Sequence, residues 1–166
     1  MPRVPKAILR RTPILLLLIV FQAVGCGDDA VLGDAEVELG TGTVTFTALE
    51  DGSPLAIVAG PQGGFHFVVH ARARGIVPGE PRNPGLPSNP RTTFAAFLGD
   101  EQVDLELPPY RLGYEVNDGS FTLPSGRILQ LKQEVIPGIY DQDVRITVTV
   151  TDEEGDTASD ERTVRA

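Results

Sequence analysis

The chain has 166 residues, a formal net charge of −9, one cysteine and no tryptophan. That length suits one domain with a real core. The acid excess excludes nucleic acid, whose affinity rests on Lys and Arg neutralising phosphates, and argues against a body lying flat on anionic lipid. A lone thiol cannot close an internal disulfide, so Val, Ile, Leu and Phe must hold the fold together.

Arg3, Lys6, Arg10 and Arg11 make a positive head with no acid among them. The apolar run "ILLLLIVF" follows at 14–21, and then the small residues Ala23 and Gly25 lead into Cys26. A charged head, a short apolar stretch and a small-residue processing site read as a secretory signal. The run reaches only about 12 Å as a helix, against a hydrocarbon core of about 30 Å, so it does not span a bilayer. "AVGC" at 23–26 resembles the lipobox of bacterial lipoproteins, with Ala23 where that family prefers Leu. The resemblance implies that the Cys26 sulfur carries a diacylglyceryl group, that the bond before it is cut, and that the new N-terminus is acylated. It divides the chain into a lipoprotein signal peptide (1–25), a lipidated tether (26–34) and a β-sandwich domain (35–166). One acyl chain binds a membrane marginally, whereas several on one residue hold it there. Removal of residues 1–25 leaves 10 basic residues against 23 acidic ones, a net charge of −13.

Nearly every later segment alternates. "AEVELG" and "TVTFTAL" put apolar residues on one side and Glu or Thr on the other. "HFVVHARA", "TTFAAFLG", "VDLEL", "RLGYEV", "RILQLKQEVI", "VRITVTVT" and "TASDERTV" continue the pattern. Period-two alternation rich in Val, Ile and Thr predicts strands. Turn chemistry separates them at Asp51-Gly52, at Asn117 to Gly119 and at Glu153 to Asp156. Eight or nine short strands in one domain predict an all-β antiparallel sandwich.

On a strand, His66, Val68, His70, Arg72 and Arg74 share one face, and Phe65, Phe67, Val69, Ala71 and Ala73 share the core face. The first face is a cationic stripe in an acidic domain. It reads as a partner or anion surface, or as one half of cross-strand ion pairs with acids such as Asp104 and Glu106. His66 and His70 sit about 13 Å apart on such a strand, too far to share one metal. "GPQGGFH" before them is a turn into the strand and lacks the helix of a phosphate-binding loop. Taken with the lipobox, it resembles a group of uncharacterised lipoproteins of myxobacterial type, which adds location and no mechanism.

Pro78, Pro81, Pro84, Pro87 and Pro90 recur at every third residue. Polyproline II has three residues per turn, so the spacing fits one exposed ridge reaching roughly 40 Å, a candidate recognition loop. The same residues also fit a stiff crossing between sheets, with turns at the Gly and Asn positions. Neither reading allows a central strand.

The stretch "VIPGIYDQDVRITVTVTDEEGDTASDERTVRA" resembles the closing strands of bacterial immunoglobulin-like or PKD-like domains. That resemblance implies an immunoglobulin-like sandwich in which Gly138 and Tyr140 enter the long strand, with Tyr140 as a candidate tyrosine corner. Asp152, Glu154 and Asp156 are the weak candidates for calcium, which takes oxygen ligands of this kind. No Gly-x-Ser-x-Gly is present and neither histidine has a Ser or Asp partner nearby in sequence, so no catalytic residue is named and no cofactor is expected. The expectation is a non-enzymatic lipoprotein of the cell envelope, preferably the outer membrane. Its lipid partner is reached through Cys26, and an envelope protein or ligand is met by the His66 to Arg74 stripe and the proline segment. A calcium- or small-ligand-binding sandwich and a hydrolase remain as alternatives.

Overall fold

A strand with one apolar face gains nothing until a second sheet covers that face. The computed structural model describes residues 34–166; the signal segment, Cys26 and the tether up to residue 33 lie outside the described residues. The strands are β1 (Glu36–Thr41), β2 (Thr47–Ala48), β3 (Val58–Ala59), β4 (Phe65–Arg74), β5 (Arg91–Leu98), β6 (Glu101–Gln102), β7 (Tyr110–Arg111), β8 (Glu115–Asn117), β9 (Ser120–Thr122), β10 (Arg127–Gln130), β11 (Asp143–Thr151) and β12 (Thr157–Arg165). All their pairings are antiparallel, in two sheets. The fold is the expected all-β sandwich.

The first sheet is built on β4. One edge of β4 takes β1 and then β3; the other takes β9 and then β10, and β2 and β8 lie outermost. Along the second edge Arg72 faces Thr122 while Val69 faces Arg127, so the register slips by two residues between β9 and β10. The second sheet runs β12-β11-β5-β6, with β7 also on β5. The inner faces are those that alternation selects. Leu39, Phe67, Val69, Ala71, Ala73 and Leu129 meet Phe94, Ala96, Val144, Ile146, Val148, Val150 and Val164, all buried. The β8–β9 hairpin turns on Asp118 and Gly119, both at positive φ, the mirror-image turn that Asn-Asp-Gly predicts.

Three segments depart from the alternating pattern. Only the first part of "RILQLKQEVI" is a strand: after Leu131 the chain makes a 3-10 turn (Gln133–Val135) and one helical turn, α1 (Ile136–Ile139). Pro137 lies within that turn's first residues, where its missing N–H costs nothing. Ile136 and Ile139 are buried, so the turn plugs the core where a strand would have left it open. In "VDLEL" both Val103 and Asp104 are buried while Leu105 and Leu107 are exposed, the reverse of a half-buried strand. Asp104 turns inward because its Oδ1 accepts the Ala96 N–H (2.7 Å), and burial raises its pKa. Tyr140 is 51% exposed and its hydroxyl has no partner among the described residues, so it makes no tyrosine corner. The anchored tyrosines are Tyr110, which donates to the Ile128 carbonyl (2.9 Å), and buried Tyr114, which bonds Thr92 (2.8 Å).

Candidate functional site

The outer face of β4 is shaped by a glycine on its neighbour β1. Gly40 pairs with His70, and any Cβ there would collide with the Phe46 ring. The missing side chain lets Phe46 fold from the β1–β2 connection across the sheet. Phe46 then meets the His70 ring edge-on at 5.7 Å, and the Arg72 guanidinium lies over it at 4.5 Å. His70 is therefore wholly buried and does not belong to an exposed stripe. Arg72 is paired with Glu38 on β1, not with Asp104 or Glu106: its Nε donates to Glu38 Oε2 at 2.9 Å. Arg74 stays exposed. His66 lines a separate depression of about 350 Å³ with Gly60, Gln62, Phe65, Ile128 and Gln130.

His70 has a local task. The N–H and C=O of one residue in an antiparallel strand point to the same edge. The Ala71 carbonyl accepts from Leu123 N–H (3.1 Å), so the Ala71 N–H faces the same edge, where the register slips. There it donates to His70 Nδ1 (3.0 Å). That bond is shorter than the 3.4 Å contact between Nδ1 and the Ala71 carbonyl and favours the tautomer with its proton on Nε2, which is buried without a partner, as is the Thr122 hydroxyl. Desolvation lowers the His70 pKa; the Ala71 carbonyl, 3.4 Å from Nδ1, would accept a proton carried there and so opposes the shift, and the Arg127 charge adds to the lowering.

The proline segment is folded, not extended. Asn89 is 2% exposed; its Oδ1 accepts the Glu80 N–H (2.7 Å) and its Nδ2 donates to the Asn83 carbonyl (2.9 Å). Turns close from Glu80 to Asn83 and from Leu86 to Asn89, and Gly85 N–H bonds the Arg111 carbonyl (2.9 Å). Gly113 has no room for a Cβ because the backbone of Glu80 and Pro81 lies against it. The five prolines therefore form no single ridge. Pro84 and Pro87 are exposed, Pro78 and Pro81 are half-buried, and Pro90 is buried. The segment is the turn-rich crossing from β4 in one sheet to β5 in the other.

The acidic β11–β12 hairpin is organised by Asp152. Its Oδ1 accepts the N–H groups of Glu154, Gly155 and Asp156 (each 3.0 Å), and its Oδ2 accepts that of Val77 (2.8 Å). The buried carboxylate thus accepts from four backbone amides, an Asx-type cap on the hairpin turn. Glu154 and Asp156 are exposed on the turn it holds. Among the described residues no group of three or more His, Cys, Asp and Glu side chains converges as a metal site.

One feature escapes the alternation pattern. Arg91 and Arg111 are register partners across β5 and β7, so their side chains stand on the same outer face. Pro87, Ser88 and Asn89 form one wall beside them and Asp152 and Glu153 the other, around a cleft of about 470 Å³. The signal lies in the sequence as "NPRTT" and "PYRLG", but only the pairing of β5 with β7 joins the two. No family model, curated protein or solved structure matches this chain.

Proposed function

We propose that this protein is an exported lipoprotein, anchored through Cys26, whose sandwich acts as a non-catalytic interaction or structural module at the cell envelope. The observation that carries the reading is the placement of Cys26, behind a basic head and an apolar run and only ten positions before β1 begins at Glu36. Acyl chains on that residue would hold the domain close to a bilayer without a spanning helix. The filled interior between the sheets supports a passive role, because Phe67, Val69, Ile146 and Val148 occupy the space a substrate would need. The turn-braced proline segment supports a binding role, since a preorganised loop loses little entropy when it meets a partner.

Metabolic labelling with a tagged fatty acid tests the anchor. The chain is expected to take up label and to sediment with membranes, its mature mass starting at acylated Cys26, and Cys26→Ser is expected to abolish all three. An uncut, unlabelled polypeptide with a free thiol inside the cell refutes the reading. Crosslinking of envelopes, followed by recovery of the chain, then reads the partner.

A further inference from the structure

We infer that the cleft between the proline segment and the β11–β12 hairpin binds a small free oxyanion, a phosphate or a dicarboxylate, between Arg91 and Arg111. Like charges directly opposite each other on a sheet repel and destabilise the pairing. Arg91 has no ion pair or side-chain hydrogen bond among the described residues, and Arg111 spends one N–H on the Pro87 carbonyl (3.1 Å). The fold nonetheless stands them side by side, both exposed, in a recess between the proline segment and the β11–β12 turn. Two guanidinium groups on one face offer forked donors to planar or tetrahedral oxygen groups, the geometry in which Arg exceeds Lys.

Two observations fix the ligand's size and charge. A volume of about 470 Å³ is that of a small-molecule site. The described residues carry 10 basic and 21 acidic side chains, a net charge of −11, which repels extended polyanions and anionic bilayers while a short anion can enter a recess lined by two guanidinium groups. Of the two acids in the walls, Asp152 is already satisfied by four backbone amides. Glu153 is exposed and opposes the anion, which makes it the residue that sets affinity from the far wall. The site stands on Arg91 and Arg111 alone and is independent of the lipid anchor.

The test is an amide NMR titration of the full chain with inorganic phosphate and, separately, with succinate, at constant ionic strength held by chloride. Saturable shifts confined to Ser88, Asn89, Arg91, Arg111 and Glu153 are expected. Arg91→Gln should weaken binding about tenfold, the loss expected for a hydrogen bond to a charged group. Glu153→Gln should tighten it. The Arg91 side chain carries no internal bond, so its removal leaves the fold intact and should raise the melting temperature slightly by relieving the repulsion. Shifts that do not saturate, that spread evenly over the surface, or that persist unchanged in Arg91→Gln overturn the proposal. So does a Glu153→Gln chain that binds no better than wild type.

Discussion

His70 is a neutral base placed where an acceptor is needed and a cation is not tolerated. Its Nδ1 terminates the stray N–H of Ala71, its Nε2–H has no acceptor, and Phe46 closes over it. A buried imidazole with a lowered pKa resists a proton that the unfolded imidazole takes up near 6.5. The unfolded state therefore binds more protons as pH falls below that value, and stability falls with it. The contribution is complete above 6.5, is lost between 6.5 and the lower folded value, and is flat beneath it. Asp104 acts with the opposite sign. Its raised pKa favours the folded state below its ordinary 3.8, and that advantage is lost as pH rises through the folded value. Comparison with His70→Gln removes the Asp104 contribution, because both chains share it. Urea unfolding across about pH 5 to 8 should show a slope in the wild type that His70→Gln flattens. His70→Leu should lose about 1–3 kcal/mol at neutral pH, because the buried Ala71 N–H is left without a partner. Equal slopes in wild type and His70→Gln would rule the assignment out.

The β11–β12 hairpin shows what an element needs beyond its strands. Alternation of Val144, Ile146, Val148 and Val150 with Arg145, Thr147, Thr149 and Thr151 is explicit in the sequence, and so is the glycine turn after it. The reach of Asp152 to Val77, 75 positions earlier, is not, because no local pattern encodes a tertiary acceptor. Replacing Asp152 with Ala strands four N–H groups on two elements at once. A loss of about 3 kcal/mol is expected, with raised hydrogen exchange at both Val77 and Gly155. Millimolar calcium should leave the wild-type melting temperature unchanged, since the carboxylate faces amides; a calcium-dependent rise lost in Asp152→Ala would count against this geometry. The same division governs the rest of the chain. β4, β5, β11 and β12 were readable because both faces of each strand are defined by period two. The β8–β9 turn was readable because Asp118 and Gly119 accept positive φ. The burial of His70 was hidden because it depends on Gly40 and Phe46 arriving from another hairpin. The turns in the proline segment were hidden because Asn89, not any proline, sets their geometry.

At the scale of the whole molecule, the two sheets share more than an apolar interior. β12 alternates like its neighbour, yet its inward face carries Ala158, Asp160 and Arg162 before the buried Val164. Asp160 and Arg162 do not belong to the core: they lie at a seam where β1 approaches β12. Asp160 Oδ2 accepts the Leu39 N–H of β1 (2.8 Å), and Arg162 bonds both Asp160 and the Leu49 carbonyl (3.1 Å). Below this, Gly52 and Leu55 N–H bond the Thr163 and Arg165 carbonyls (2.7 and 2.8 Å), covering the edge of β12 that an exposed strand would offer to other chains. One side of the sandwich is thus stitched by the Asp160 and Arg162 bonds to the backbone of Leu39 and Leu49 and by backbone bonds, while the apolar faces hold the middle. Because that seam joins the sheets, its loss should weaken both together. Asp160→Ala leaves the fully buried Leu39 amide without an acceptor and Arg162 without its counter-charge. A loss of about 2–3 kcal/mol is expected, read as a lower urea midpoint with an unchanged slope and coincident transitions from probes placed in each sheet. Separate transitions for the two sheets in this variant would mean that the shared interior is too weak to couple them and that the seam alone makes the domain a single cooperative unit.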